Sequence, residues 1–135
     1  MAFKCADRIK ETTTTEGTGT IQLAGAVAGF KAFSSYLVNN DTTYYSIEDT
    51  LGNWENGYGT YQSGTPDSIV RTNIISSSNN NLVVNFGTGN KNIFCTNPAD
   101  GTTLIEVDGV NDPVIKTDAN IELGSPVDYL SLIHI

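Results

Sequence analysis

Hydrophobic and polar residues alternate with a period of two along most of the chain, from about residue 8 to residue 96. This spacing is typical of β-strands with one buried and one solvated face, and no segment shows a convincing helical period. The alternating segments are short and are separated by turns rich in Gly, Asn and Pro. The pattern therefore predicts an all-β fold, built as a small antiparallel β-sandwich or barrel.

The aromatic residues concentrate between residues 42 and 64, in the stretch TTYYSIEDTLGNWENGYGTYQSG. Two runs rich in Thr, Tyr and Trp flank a short Gly/Asn turn there. This arrangement predicts a β-hairpin that pairs residues 43–48 with residues 54–61. The hairpin is expected to form the centre of the domain.

Alternation assigns the side chains of this hairpin to two faces. On the second strand, Trp54 and Tyr58 share one face, and Gly57, Gly59 and Tyr61 lie on the other. A large aromatic side chain against a strand glycine indicates close packing or a bulge. We expect Trp54 to be largely buried through cross-strand aromatic pairing, so that its replacement by alanine would cost about 3–5 kcal/mol.

Six further strands are predicted outside the hairpin. The first two would form their own hairpin through Gly17, and residues 24–29 are expected to form a tight loop or a single helical turn. The six strands span residues 7–15, 18–24, 30–38, 68–76, 82–86 and 91–96. Residues predicted to share a face are Val70, Thr72 and Ile74 in one strand, Leu82, Val84 and Phe86 in the next, and Ile93 with Cys95 in the last.

Charge and composition narrow the range of partners. The net charge is −8 and the pI is near 4.3, so the chain has no electrostatic basis for binding nucleic acid or an anionic membrane. The N-terminal residues MAFKCADRIKE lack the apolar core of a signal peptide, which predicts that the protein is made and kept in the cytoplasm unless a non-secretory route exports it. The only two cysteines, Cys5 and Cys95, are therefore expected to be free thiols, and their spacing does not suggest zinc.

The C-terminal third differs from the rest. We expect a β module over residues 1–97 and the start of an extended, stalk-like segment over residues 98–129, where short strand-like units alternate with Gly, Asp and Pro. Such units are too thin to close a core alone, and we expect them to be buried only between chains. The last six residues, LSLIHI, match the translation of a transposase mosaic-end sequencing adaptor. We therefore expect residues 130–135 to be non-native and the chain to be a fragment.

From Ala6 to Ala99 the chain resembles a small module of phage and prophage tail-fibre and related virion proteins. The residues that carry this resemblance are ADRIKETTTTEGTGTIQLAGAVAGF, TTYYSIED, NWENGYGTYQSG, RTNIISSSNN and GTGNKNIFCTNPA, in that order. The resemblance implies a structural virion component near the N-terminus of a longer fibre chain, without known catalysis or cofactor. Its implied partners are other virion proteins and further copies of itself, for example in a trimer.

Two other functions were weighed against a structural role. A catalytic pair of carboxylates, Asp49 and Glu55, would suit glycoside hydrolysis, but such a pair at a hairpin turn is more often a solvated edge. Calcium ligation by residues 39–41 and Asp49 fits no EF-hand spacing, so no metal is predicted. The serious alternative is a glycan-binding module that recognises a host surface polysaccharide. Its candidate contacts, which combine stacking rings with amides, are Asn53, Trp54, Asn56, Tyr58 and Tyr61.

Overall fold

The computed structural model describes residues 1–100, 104–107 and 113–116 of the chain. The strands are β1 (Lys10–Thr13), β2 (Ile21–Gln22), β3 (Thr42–Glu48), β4 (Trp54–Gln62), β5 (Ser68–Ser77), β6 (Lys91–Phe94), β7 (Leu104–Val107) and β8 (Pro113–Lys116). A single turn of 3₁₀ helix covers Phe33–Ser35. Within the described part of the chain, no helix is long and apolar enough to cross a membrane.

The first six strands form one antiparallel sheet with the order β1-β6-β3-β4-β5-β2. Its two outer edges come together just beyond β2. The Thr12 amide donates to the Gly25 carbonyl at 3.0 Å, and the Ala24 amide donates to the Thr12 carbonyl at 2.9 Å. The sheet is therefore nearly closed into a barrel, and the prediction of an all-β barrel or sandwich is confirmed.

The centre of the sheet is the hairpin of β3 and β4, which pairs the two predicted segments. Thr43 pairs with Gly59, Tyr45 with Gly57, and Glu48 with Trp54. Along β4 the buried side chains alternate regularly, as a pleated strand requires. The apolar core consists of Ile9, Ile21, Leu23, Phe33, Leu37, Tyr45, Ile47, Tyr61, Ile69, Val84, Phe86 and Ile93.

Two glycines of β4 make room for the Tyr45 ring. A Cβ atom at Gly57 would lie 2.5 Å from the Tyr45 hydroxyl oxygen, and one at Gly59 would lie 2.5 Å from Cγ2 of Ile69. The register of β4 against β5 shifts just before each of these glycines. The predicted close approach of an aromatic ring to strand glycines is thus present, and the bulges accompany it.

Three predictions about the flanking segments are wrong. Strands β1 and β2 do not form a hairpin through Gly17, because β1 pairs with β6 and β2 pairs with β5. Residues 30–38 form the 3₁₀ turn and loops instead of a strand, and residues 82–86 form only isolated bridges. Both irregular segments nevertheless bury apolar side chains at two or more positions, and this burial produced the strand-like sequence pattern.

Val70, Thr72 and Ile74 of β5 do not share one face as predicted. Val70 pairs with Thr60 and Ile74 with Gly57, which lie on opposite faces of β4, because register shifts interrupt the alternation. Ile69 and the side chain of Arg71 are buried instead. Leu82, predicted to share a face with Val84 and Phe86, is 63% exposed, whereas those two residues are buried.

Trp54 is not buried as predicted. Its side chain lies on the outer face of β4 and is 39% exposed, whereas Glu55, Gly57, Gly59 and Tyr61 occupy the inner face. The inner face of β4 contains a carboxylate and two glycines. The position of the Trp54 ring therefore does not indicate which face of the strand points into the barrel.

The exposure of Trp54 changes the expected effect of its removal. Trp54→Ala should lower the free energy of unfolding by about 1 kcal/mol or less, because surface substitutions that leave no buried cavity have small effects. Urea unfolding of the wild-type and variant proteins measures this difference. A loss of about 3 kcal/mol or more would show that the ring is part of the core after all.

The second compact unit comprises residues 101–135. Its described part is a two-stranded antiparallel hairpin in which Leu104 of β7 pairs with Lys116 of β8, and Val107 with Pro113. Both strands lie within residues 98–129, where the sequence predicts short strand-like units. The predictions about residues 117–129 and the LSLIHI terminus fall outside the described residues.

Candidate functional site

The outer surface of the central hairpin is the candidate site. We use the name outer hairpin face for the outward side chains of β3 and β4 together with Phe3, which packs on them. This face comprises Phe3, Tyr44, Ser46, Glu48, Trp54, Asn56 and Tyr58. Cross-strand pairing sets its layout, since Tyr44 lies opposite Tyr58 and Glu48 lies opposite Trp54.

The N-terminal segment covers one end of this face. Phe3 forms a parallel bridge with Thr42, and the Lys4 amide donates to the Thr42 carbonyl at 2.9 Å. The Phe3 ring stacks on Tyr58 with centroids 5.9 Å apart and meets the edge of Tyr44 at 4.9 Å. Phe3 itself remains 50% exposed, so the end of the face presents an accessible aromatic surface.

Four of the five predicted glycan contacts lie on or beside this face. Trp54, Asn56 and Tyr58 belong to it. Asn53 precedes it at the turn, where its side-chain amide donates to Asp49 at 2.7 Å. Tyr61 does not join them, because its ring is buried in the core and its hydroxyl donates to Asp67 at 2.6 Å.

Two polar groups of this face already have protein partners. The Asn56 side-chain amide donates to Ser76 Oγ at 3.2 Å, and the Tyr58 hydroxyl donates to Thr42 Oγ1 at 2.9 Å. Asn56 keeps its second N–H and its amide oxygen for a ligand, and Glu48 presents an exposed carboxylate opposite Trp54. The aromatic rings favour contact with apolar surfaces or with the C–H faces of sugar rings.

A buried ionic network lies beneath the outer hairpin face. Arg71 of β5 donates to both carboxylate oxygens of Glu55, from Nη2 at 2.6 Å and from Nε at 2.9 Å. The Tyr45 hydroxyl donates to the same carboxylate at 2.6 Å. Burial, followed by the neighbouring Glu55 charge, raises the pKa of Tyr45, so the hydroxyl remains a donor at all physiological pH values.

The same network fixes two irregular segments against the sheet. Arg71 also donates to the carbonyls of Gly17, Gly19 and Val84, at 3.0, 3.3 and 2.6 Å. The Val84 amide in turn donates to Glu55 Oε1 at 2.9 Å. Buried charges are tolerated only when they are paired and fully hydrogen-bonded, and this pair meets that condition.

This network is not predicted from the sequence, in which Glu55 is a candidate catalytic partner of Asp49. In the structure Glu55 is completely buried in its ion pair. Asp49 closes the hairpin turn, where it accepts hydrogen bonds from the amides of Leu51 and Asn53. The two carboxylates thus have separate structural partners. The sequence position of Glu55 does indicate its burial, because residues 55, 57 and 59 lie on the same face of a strand as the core residue Tyr61.

A second carboxylate holds the N-terminal segment. Asp41 is buried and accepts hydrogen bonds from the Ala2 and Val38 amides, both at 2.9 Å, and an ion pair from Lys4 Nζ at 2.7 Å. The Lys4 hydrogen bond and the backbone amides lower the pKa of Asp41 to about 2. Asp41 is one of the residues 39–41 named above as possible calcium ligands. In the structure its carboxylate oxygens hold the N-terminal segment and residue Val38 next to β3.

The lowered pKa of Asp41 predicts a loss of stability in acid. Because the folded-state pKa lies below the ordinary value of 3.8, the ionised carboxylate stabilises the fold above about pH 4, and this contribution disappears as the pH falls toward 2. The melting temperature of Asp41→Asn should therefore fall less than that of the wild type between pH 4.5 and pH 2.5. Circular dichroism melts at a series of pH values measure the two slopes.

The matched control is Glu16→Gln, at an exposed acid, which should keep the wild-type slope. Burial raises the pKa of Glu11, so its protonation stabilises the fold as the pH falls. Because Glu11 is present in all three proteins, it does not affect the difference between their slopes. A wild-type slope in Asp41→Asn would mean that the carboxylate does not stabilise the fold.

A cationic cavity lies beside the outer hairpin face. Its volume is about 330 Å³ and its lining includes Arg8, Lys10, Phe30, Glu48 and Phe94. The Arg8 guanidinium lies 3.8 Å from the centroid of the Phe30 ring, and Lys10 Nζ lies 5.1 Å from it. Arg8 adopts a left-handed backbone conformation with φ 62° and donates to the Gly29 carbonyl. These side chains mainly hold residues 29–31 against β1.

Comparison of the chain with protein-family models, with curated proteins and with solved structures found no match.

Proposed function

We propose that this chain is a non-catalytic structural component of a bacteriophage virion, associated with the tail fibre. The observation that carries the proposal is the ordered succession of segments between Ala6 and Ala99, which resembles the tail-fibre module. The barrel is compatible with such a role, since its buried ionic groups hold strands and loops together. Of the candidate catalytic pair, Glu55 is committed to its buried ion pair with Arg71, and Asp49 to the backbone amides of the hairpin turn.

In this proposal the outer hairpin face is the surface through which the module contacts another virion chain. Phe3 and Trp54 are 50% and 39% exposed, and the Asn56 and Tyr58 side chains of the same face are bonded within the sheet. Exposed aromatic side chains are enriched at the centre of protein–protein interfaces. The partner is another virion protein or a further copy of this chain.

The direct test is mass spectrometry of intact virions. Particles are purified on a density gradient from the sample that yielded the sequence, and the tryptic peptide Thr72–Lys91, TNIISSSNNNLVVNFGTGNK, is quantified in each fraction. We expect the peptide to peak with phage tail proteins in the virion fraction. Its confinement to the bacterial cell fraction would refute the proposal.

A second function, binding of a host surface polysaccharide, is favoured by the exposure of Trp54. An accessible indole with Asn56 and Tyr58 on the same strand face offers a ring for stacking and an amide oxygen for a hydroxyl group. The test is a polysaccharide array probed with the wild-type protein, Trp54→Ala and the control Leu51→Ala. Leu51 is 82% exposed at the adjacent turn. Binding that is lost only in Trp54→Ala supports this function, and no binding by the wild type contradicts it.

A further inference from the structure

The two cysteines of the chain lie 90 positions apart in sequence but meet beside β3. Both line one cavity, together with Ala6, Asp7, Thr96 and Asn97. Cys95 Sγ lies 3.7 Å from Thr43 Oγ1. Cys5 directly follows Lys4, whose amide is bonded to the Thr42 carbonyl, so it lies beside the same stretch of β3. The two thiols therefore border one space beside Thr43.

The backbone on both sides of this pair is held in place. Lys4, the residue before Cys5, donates its amide to the Thr42 carbonyl at 2.9 Å. The Cys95 amide donates to the Ile9 carbonyl at 3.1 Å, and the Thr43 hydroxyl is fixed by the Tyr36 hydroxyl at 2.8 Å. These hydrogen bonds fix the backbone beside both cysteines, so the position of the two thiols is set by the fold.

We propose that Cys5 and Cys95 are a redox modification site, which a low-molecular-weight disulfide such as oxidised glutathione converts into an intrachain disulfide. The fold brings together the only two thiols of the chain, and no other thiol competes. This inference is independent of the virion proposal, since it rests on the Cys5–Thr43–Cys95 cluster alone.

The reaction is two successive thiol–disulfide exchanges. The thiolate of Cys5, the more exposed of the two residues, attacks oxidised glutathione, forms a mixed disulfide and releases one glutathione thiolate. The thiolate of Cys95 then attacks the Cys5 sulfur and releases the second glutathione. The protein dithiol loses two electrons and two protons, and one oxidised glutathione becomes two reduced glutathiones.

The bond would join the N-terminal segment to the end of β6. That segment carries Phe3, which covers Tyr44 and Tyr58 on the outer hairpin face. In the reduced protein the segment is held by the Asp41 contacts and by its bridge to Thr42. Oxidation therefore makes the covering of the outer hairpin face permanent, and reduction makes it reversible.

The experiment uses the full chain, first reduced and then incubated with oxidised glutathione at pH 8.5. The alkaline pH compensates for the burial that raises the pKa of the Cys5 thiol. We expect an intact mass lower by about 2 Da, which is the loss of two hydrogens. Non-reducing peptide mapping should link Cys5–Arg8 to Asn92–Lys116. The melting temperature should rise by about 10 °C, because the bond closes a long loop, and dithiothreitol should reverse the rise.

The matched control is Cys5→Ser, which removes a thiol at an exposed position. It should take up at most one glutathione, at Cys95, and show no rise in melting temperature. Stable glutathione adducts on both cysteines of the wild type, without the linked peptide, would overturn the proposal. Exclusive formation of disulfide-linked dimers would overturn it as well.

Discussion

Arg71→Ala is expected to lower the free energy of unfolding by about 3–5 kcal/mol, the largest effect of any substitution considered. The change removes the cation that binds both oxygens of Glu55 and leaves a buried carboxylate with only Tyr45 and the Val84 amide as donors. It also removes the Arg71 donor from the Val84 carbonyl and from the Gly17 carbonyl, which keeps only the Phe86 amide at 3.2 Å. Each buried polar group that loses its partner adds a further desolvation cost.

Urea unfolding of Arg71→Ala, Glu55→Ala and the double variant forms a double-mutant cycle. Because the two side chains are in contact, the double variant should be more stable than the sum of the single effects predicts, by about 1–3 kcal/mol. The control is Arg8→Ala, at an exposed arginine that lies over the Phe30 ring and should contribute about 1 kcal/mol or less. If Arg71→Ala and Arg8→Ala had equal effects, the buried network would not hold the barrel.

Gly57→Ala should cost about 3 kcal/mol, at the upper end of the range for overpacking. The added methyl group would lie 2.5–2.7 Å from three atoms of the Tyr45 ring and hydroxyl. That ring cannot move away easily, since its hydroxyl is bonded to Glu55 and its side chain is completely buried. Thermal unfolding of the purified variant measures the cost.

Two further variants show whether the contact with Tyr45 is the cause. Gly19→Ala is the matched control, because a Cβ atom there would have no heavy atom within 4 Å, and its effect should be close to zero. The double variant Gly57→Ala/Tyr45→Leu should lose less stability than the sum of the two single losses, because the clash with the Tyr45 ring is absent from it. Strict additivity of Gly57→Ala and Tyr45→Leu would contradict the proposed clash.

The sequence predicted the pairing of the central hairpin correctly, because β3 and β4 are neighbours in the chain and are separated by a short turn. The partners of β1 and β2 could not be predicted in the same way. Each of these strands pairs with a strand far away in sequence, and the short stretch of turn residues at Gly17 indicated a local hairpin instead. Local turn signals carry no information about such long-range pairing.

The candidate site was predicted only in part, and the reason is the same for both strands concerned. A hydrophobicity pattern treats Glu55 and Arg71 as solvent-facing residues, whereas the barrel buries them as a pair. The charged residues on the inner faces of β4 and β5 were therefore missed, and cross-strand aromatic pairing then indicated a core position for Trp54. The sequence alone does not reveal that two opposite charges 16 positions apart neutralise each other inside the fold.

The first residues of the chain bind strand β3 of the same molecule, in the way that a peptide ligand binds the edge of a sheet. Residues 2–4 occupy the strand edge at Thr42, and the short chain that tethers them gives an effective concentration on the order of millimolar. A free peptide of the same sequence at micromolar concentration therefore cannot displace them. Deleting them instead vacates a strand edge, to which an extended segment of another molecule can add as a new strand.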